Sequence, residues 1–322
     1  MFAGYKIVPW VFGPCSYNLR PVPSRIPYLP RTIAFGSCAD NEIRPTILDQ
    51  INADVFIFLG DNVYCDTLSS WIMWLTYNRL SCKPEFQRLV DRTPFVLATW
   101  DDHDYGMNDG GQEYPMKYES QKLFLDFWKV PHSNERRGHD GIYGTYEFFE
   151  GSMSVLVVMM DLRFFRSPLK KVNSTSSDYC ASDNGTMLGS GQWDWLESTL
   201  KQSQSQIIIM ASSTQFGAQA YGFETWRNFP HERDRLVALL HPKRTIFISG
   251  DLHIGEVSLT SEGFIDLTSS GLGKYDPPVL PNMYRIGQPI AEYNYGILDL
   301  EKKTGSVIGL SGASMTVPLI LS

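Results

Sequence analysis

The sequence contains no long apolar run: none of the hydrophobic stretches in its 322 residues approaches the roughly eighteen needed to cross a bilayer. The N-terminal stretch from Met1 to Trp10 is broken by Pro9 and followed by Pro14, and it lacks the apolar region and small-residue cleavage site of a signal peptide. No transmembrane segment is expected, and the chain reads as cytoplasmic, or as an exported protein whose leader has been removed. Positive charge is scarce too, with 28 Lys and Arg against 35 Asp and Glu, a net charge of -7 and no basic cluster. That argues against nucleic-acid binding driven by counterion release. The cysteines Cys15, Cys38, Cys65, Cys82 and Cys180 are few, odd in number and irregularly spaced without a CxxC pair, so no disulfide framework is expected and at least one thiol is free or used. Internal repeats and linkers are lacking as well. Residues 1–322 therefore read as one domain, with 1–31, rich in Pro and aromatics but without periodicity, as an irregular arm laid over it. Nothing in the pattern fixes an oligomeric state.

What is present is a set of short apolar runs, within a composition that is 43% hydrophobic and ample for a core. Thr32 to Phe35, Val55 to Leu59, Phe95 to Ala98, Val155 to Met160, Ile207 to Met210 and Thr245 to Ile248 are unbroken, as in strands covered on both faces. Between them, helices are expected after Pro45 with Ile47, Leu48 and Ile51 on one face, from Ser69 or Ser70 through Leu80, after Pro84, around Lys122 to Trp128, from Gln192 to Leu200 and from His231 to Leu240. Ile142 to Phe149 alternates like an edge or hairpin strand, and the runs near Ile265, Ile297 and Val307 suggest antiparallel strands closing a sheet. Ser167 to Gly191 is a polar loop long enough for a lid or substrate-facing wall.

The apolar runs end alike. At their carboxyl ends stand Cys38, Asp61 with Tyr64, the cluster Asp101-Asp102-His103-Asp104, Asp161 with Arg163, Ser213, and Asp251 with His253. Ligands of layered α/β proteins bind outside the carboxyl ends of the strands, so these separated residues can converge on one point. Carboxylates, a thiol, a phenol and an imidazole around one centre suit two or more cations, with Asp61 as the natural bridge. The softer donors favour a trivalent metal such as iron, and the oxygen-only side favours calcium, magnesium or manganese. Such a pair binds phosphoryl oxygens and lowers the pKa of a bound water, giving hydroxide for in-line attack on phosphorus. Arg163 would hold a non-bridging phosphate oxygen. Taken singly, each residue also has an ordinary reading: Gly-Asp as a turn, Cys38 as a small core side chain, Tyr64 as packing, Arg163 as a surface ion pair.

In order, Gly36-Ser37-Cys38, Gly60-Asp61-Asn62-Val63-Tyr64, Trp100-Asp101-Asp102-His103-Asp104 with Asn108-Asp109, Asp161-Leu162-Arg163, Leu188-Gly189 with Gln192-Trp193-Asp194-Trp195-Leu196, Pro230-His231-Glu232-Arg233 and Gly250-Asp251-Leu252-His253 resemble the PhoD-like (alkaline phosphatase D) metallophosphatases. The resemblance runs from Ile33 to Gly271. It implies an α/β fold, a four-layer αββα metallophosphatase sandwich with two mixed central sheets, present as the catalytic domain only. It also implies phosphomonoesterase or phosphodiesterase activity with iron (Fe3+) and calcium, manganese, magnesium or zinc being the alternatives. Carried onto this chain, Cys38, Asp61, Tyr64 and His253 would hold iron, and Asp102, Asn108 and Asp251 calcium. His103 would protonate or steer the leaving oxygen, with Arg163 and Asp104 beside it among the catalytic groups.

Compared with the broader superfamily, Cys38 stands where Asp is usual, Asp102 where Asn precedes the His, Ser213 or Thr214 where a His is usual, and Asp251 where a His would be. Exchanging imidazoles for oxygens moves the second metal from zinc towards calcium. The substrate implied is a small-molecule or lipid phosphate ester. Two rivals remain: a phospholipid-headgroup hydrolase of the same fold, and a non-catalytic cation-binding protein, which His103 and Arg163 argue against because neither improves cation binding.

Overall fold

Side-chain alternation in the short apolar strands builds the molecule, because each strand feeds two cores at once. The computed structural model describes residues 15–40, 46–176, 178–218, 222–275 and 279–319. In chain order the strands are β1 (Arg25–Ile26), β2 (Thr32–Gly36), β3 (Val55–Leu59), β4 (Phe95–Thr99), β5 (Gly144–Glu150), β6 (Met153–Met159), β7 (Lys170–Lys171), β8 (Tyr179–Cys180), β9 (Ile207–Ala211), β10 (Thr245–Ser249), β11 (Gly255–Leu259), β12 (Ile265–Ser269), β13 (Arg285–Ile290), β14 (Asn294–Asp299), β15 (Thr304–Gly309) and β16 (Ser314–Pro318). The helices are α1 (Ser70–Ser81), α2 (Pro84–Arg92), α3 (Asp102–Tyr105), α4 (Lys117–Phe127), α5 (Gly189–Gln202) and α6 (Pro230–Leu240).

Two mixed sheets result. One has the order β1-β5-β6-β9-β10-β12-β11-β13, the other β16-β15-β14-β2-β3-β4. In β3, Val55, Ile57 and Leu59 point into the core between the sheets, while Phe56 and Phe58 point into a second core beneath α1, α2 and α4. On the far side, Leu156, Val158, Ile208, Met210 and Phe247 face α5 and α6. The layers are therefore helix, sheet, sheet, helix, as the resemblance implied. Within the sheets β2, β3 and β4 are parallel to one another, as are β6, β9, β10 and β12. This shared direction places the loops that follow them at a common edge.

The expected elements form, with differences at their margins. The helix expected after Pro45 is a short 3-10 turn, Thr46–Gln50; Ile47, Leu48 and Ile51 are buried as expected, and Pro45 lies outside the described residues. The arm is less irregular than its composition suggests, since β1 pairs with β5 and covers the edge that the 142–149 strand was expected to form. It is also tied down: Cys15 forms a disulfide with Cys82, which caps α1, and Tyr17 donates from its hydroxyl to the Phe127 carbonyl at 2.7 Å. One pair can form without a framework of pairs, and Cys38, Cys65 and Cys180 are free. The long polar loop holds the β7–β8 hairpin, and β14, β15 and β16 close their sheet in antiparallel fashion.

Candidate metal centre

Four of the residues expected at the centre have left-handed backbones: Cys38 (φ 59), Asp61 (φ 49), Asp251 (φ 78) and His253 (φ 54). Non-glycine residues rarely adopt such values, and where they cluster they mark sites in which geometry outweighs local comfort. The two Gly-Asp pairs have a related cause. A Cβ at Gly60 would meet the Asp101 backbone nitrogen at 2.6 Å, and one at Gly250 would meet Ser37 Oγ at 2.2 Å. The glycines let the strand-end loops approach closely enough for their aspartates to share a site.

The expected ligands do come together. Donor atoms of Cys38, Asp61 and His253 lie within 4.8 Å of one another, and so do those of Asp61, Asp102 and His103. Cys38 Sγ is 3.6 Å from Asp61 Oδ2, and the Tyr64 hydroxyl is 3.2 Å from His253 Nε2. Asp61, Asp102, His103, Asn108, Asp251 and His253 line one cavity of about 480 Å³. A further band of carboxylates continues from it: Asp101, Glu224 and Asp251 form one group, and Asp102, Asp109 and Glu224 another.

So much negative charge raises the cost of ionisation. Burial, then the charges of Asp102, Cys38, Asp101 and Asp104, push Asp61 well above the usual carboxylate range; burial with Asp101, Glu224 and Asp102 does the same to Asp251. Burial would raise the Cys38 thiol as well, but His253 beside it and hydrogen bonds from Ser270 and Ser37 outweigh that and bring it down to about 6. His103 moves the other way. Burial favours its neutral form, yet the Asp66 carboxylate on Nδ1 at 2.6 Å and the charge of Asp102 push it up to about 9. Two buried carboxylate oxygens at the site, Asp101 Oδ2 and Glu224 Oε2, have no hydrogen-bond partner among the described residues, Arg166 Nη2 lying 3.6 Å from the second. Orphaned oxygens and mutually repelling carboxylates are what cations would offset, and oxygen donors beside a thiol, a phenol and imidazoles form a donor set that fits them.

Two groups expected to be catalytic are placed elsewhere. Asp104 does not line the cavity: its carboxylate accepts from the backbone nitrogens of Asp101 (2.6 Å), Asp61 (3.2 Å) and Asn62 (3.3 Å) and from Asn62 Nδ2 (2.5 Å). It fastens the Asp61 loop to the first turn of α3. Arg163 is fully buried, and its guanidinium, expected to hold a phosphate oxygen, meets carboxylates inside the protein. Nε donates to Asp101 Oδ1 at 2.5 Å, and Nη2 pairs with Asp101 and Glu224. Other quoted motif residues are scaffold as well. Asp161 accepts from Trp100 Nε1 and the backbone nitrogens of Ile142, Arg163 and Phe164, while Gln192 bonds to both backbone groups of Asp161. Glu232 caps the start of α5 through Met187 N and Leu188 N.

Residue-by-residue reading missed Glu224, which ends no apolar run; its ion pairs with Arg163 and Arg166 bring it in. Asp66 was missed for the same reason. Asp109 stood in a quoted motif without a role, and here its backbone nitrogen donates to Asp102 Oδ2 at 2.7 Å while its own carboxylate accepts from Tyr179 on the β7–β8 hairpin at 2.6 Å.

Solved structures share this architecture. PhoD aligns at a TM-score of 0.66 and 14% identity over 90% of this chain and 69% of that one. A dimetal phosphatase from Danio rerio aligns at 0.54 and 12% over 90% of this chain and 100% of that one, and GAP50, the anchor in the inner membrane complex of Plasmodium, at 0.55 and 12% over 90% and 88%. No curated protein matches the chain by sequence. At these identities the likeness establishes the fold. The class comes from the fold, the donor clusters and a family model together: a metal-dependent phosphoesterase. The family model, that of the PhoD-like phosphatases, matches residues 67–272, more than half of the sequence, and the chain belongs to that family.

Proposed function

We propose that the protein hydrolyses phosphoric mono- or diesters with iron (Fe3+) held by Cys38, Asp61, Tyr64 and His253, and calcium held by Asp102, Asn108 and Asp251, within one catalytic domain. The observation that carries the reading is that Asp61 belongs to two donor clusters at once, one with Cys38 and His253 and one with Asp102 and His103. When bound, the cations supply Lewis-acid activation of the phosphoryl group and of water. The chain's own residues do the rest. Asp61 spans the two positions, and Asp104 holds its loop through the Asp61 and Asn62 backbone nitrogens and the Asn62 amide. Arg163 positions Asp101 and Glu224 beside the second position, its guanidinium lying against both and opposing the burial that pushes both carboxyls up. His103 lines the cavity with Nδ1 occupied by Asp66, which leaves Nε2 to give its proton to the departing oxygen. The Cys15–Cys82 bridge suits an oxidising compartment, which favours the exported alternative.

Metal analysis of protein purified without chelator, together with turnover of paired chromogenic mono- and diesters, tests the proposal. Bound iron with visible charge-transfer absorption, and activity lost on selective calcium chelation while iron stays, is the expected result. A colourless protein fully active with zinc alone would overturn the metal assignment, and metal-loaded protein that turns over neither ester would overturn the function.

A further inference from the structure

The cavity at the metal centre is larger than a phosphoryl group requires, and part of its wall is apolar. Phe223, Leu252 and Leu280 line the same space of about 480 Å³ as Asp61 and His103. Phe223 is 53% exposed, an aromatic ring left uncovered at the mouth of a charged site. It also lines a second cavity of about 200 Å³ with Val172, Tyr179 and Ala181, so the apolar surface continues past the metal centre towards the β7–β8 hairpin.

Both ends of this wall are fastened. Phe223 precedes Glu224, which is tied to the buried Arg163. The Leu280 carbonyl accepts from Arg285 Nη2 at 2.5 Å; Arg285 Nε pairs with buried Glu256 at 2.5 Å, and Glu256 also accepts from Asn282 and Gln215 at 2.9 Å each. Side chains held in place beside a polar reaction centre are how binding sites choose the non-reacting part of a ligand.

We propose that the ester carries an apolar substituent of several carbons, and that Phe223, Leu252 and Leu280 seat it while its phosphoryl group meets the donor clusters. The proposal rests on the phosphoesterase reading and deepens it. A 4-nitrophenyl alkyl phosphodiester series, methyl to hexyl, keeps the leaving group constant while the apolar part grows. Wild-type kcat/KM should rise by about two- to fourfold per methylene, mainly through KM, as burial of each CH₂ implies. Phe223→Ser and Leu280→Ser should flatten the series, and Phe223→Leu should restore its slope. A flat wild-type series, or an unchanged slope in both serine variants, overturns the proposal.

Alkylphosphonate binding to the metal-loaded protein, followed by calorimetry, gives a readout that does not need turnover. If no ester is hydrolysed, the phosphoesterase reading fails alone, and affinity that rises with chain length in the wild type but not in Phe223→Ser still supports the apolar seat; length-independent affinity overturns it. Comparing the dissolved hexyl ester with a diacyl phosphodiester carried in phosphatidylglycerol vesicles separates the two sources. Where the series shows the apolar dependence, faster cleavage of one or the other identifies a soluble or a lipid ester as its origin.

Discussion

His103 and Asp104 are neighbours on the four-residue helix α3, yet their surroundings give them opposite work. The imidazole lines the cavity against the Tyr64 ring, 4.3 Å between centroids, whereas the carboxylate is buried under four donors. His103→Ala is expected to lower turnover of esters with alkoxide leaving groups by about a hundredfold or more, with a much smaller loss for aryl leaving groups that need little protonation. Rates on an alkyl and an aryl ester, with metal content measured alongside, decide this; equal losses with metal stripped would make His103 a ligand. Asp104→Asn should instead cost folding stability, about 3 kcal/mol, because an amide in place of the carboxylate sets a donor against donors already buried there. A urea titration of wild type and variant measures it, and an unchanged midpoint would contradict the role. The sequence displayed both residues but not their difference, since adjacency says nothing about which side chain faces solvent. Arg163 shows the same limit: only the fold reveals that protein carboxylates already occupy Nε and Nη2 of its guanidinium.

At the scale of elements, the unbroken apolar runs were readable because a strand covered on both faces has no polar face to interrupt it, as β3 shows with all five residues buried. What hid was whatever depends on distant partners. Glu224 comes to the site through Arg163, 61 residues earlier, and no local pattern marks it. The Cys15–Cys82 bridge was hidden too, because an odd cysteine count with irregular spacing does not say which two meet. This bridge joins residues 67 apart and encloses β2, β3 and α1, and with them Cys38 and Asp61. Closing a loop of that size in the unfolded chain is worth up to about 4 kcal/mol in the chain-entropy model. Cys15→Ser should therefore lower unfolding stability by about 2–4 kcal/mol, read as a urea-midpoint shift that wild type reproduces under reducing conditions. A midpoint indifferent to both changes would show that the bridge constrains little.

At the scale of the whole molecule, the donor band buries at one site several of the carboxylates that give the chain its net -7. Folding without cations must bury Asp61 and Asp251 among other carboxylates, and both respond by taking up protons more readily than in the unfolded chain. For a carboxyl whose folded pKa lies above its unfolded value of 3.8, the folded state binds more protons, so stability falls as pH rises from about 4 through the folded pKa. Asp266, raised by burial to about 6 despite accepting from the Phe216 and Gly217 backbone, adds to the same slope in every form of the protein. Chelated protein should thus gain thermal stability as pH is lowered from 8 towards 5. Metal-loaded protein should do the reverse, because protons compete with cations for the same ligands and binding to the folded state alone stabilises it. Melting temperatures of both forms across that range should therefore cross. Parallel curves would mean that the carboxylates at the strand ends do not hold the cations, and the site would have to be sought elsewhere in the molecule.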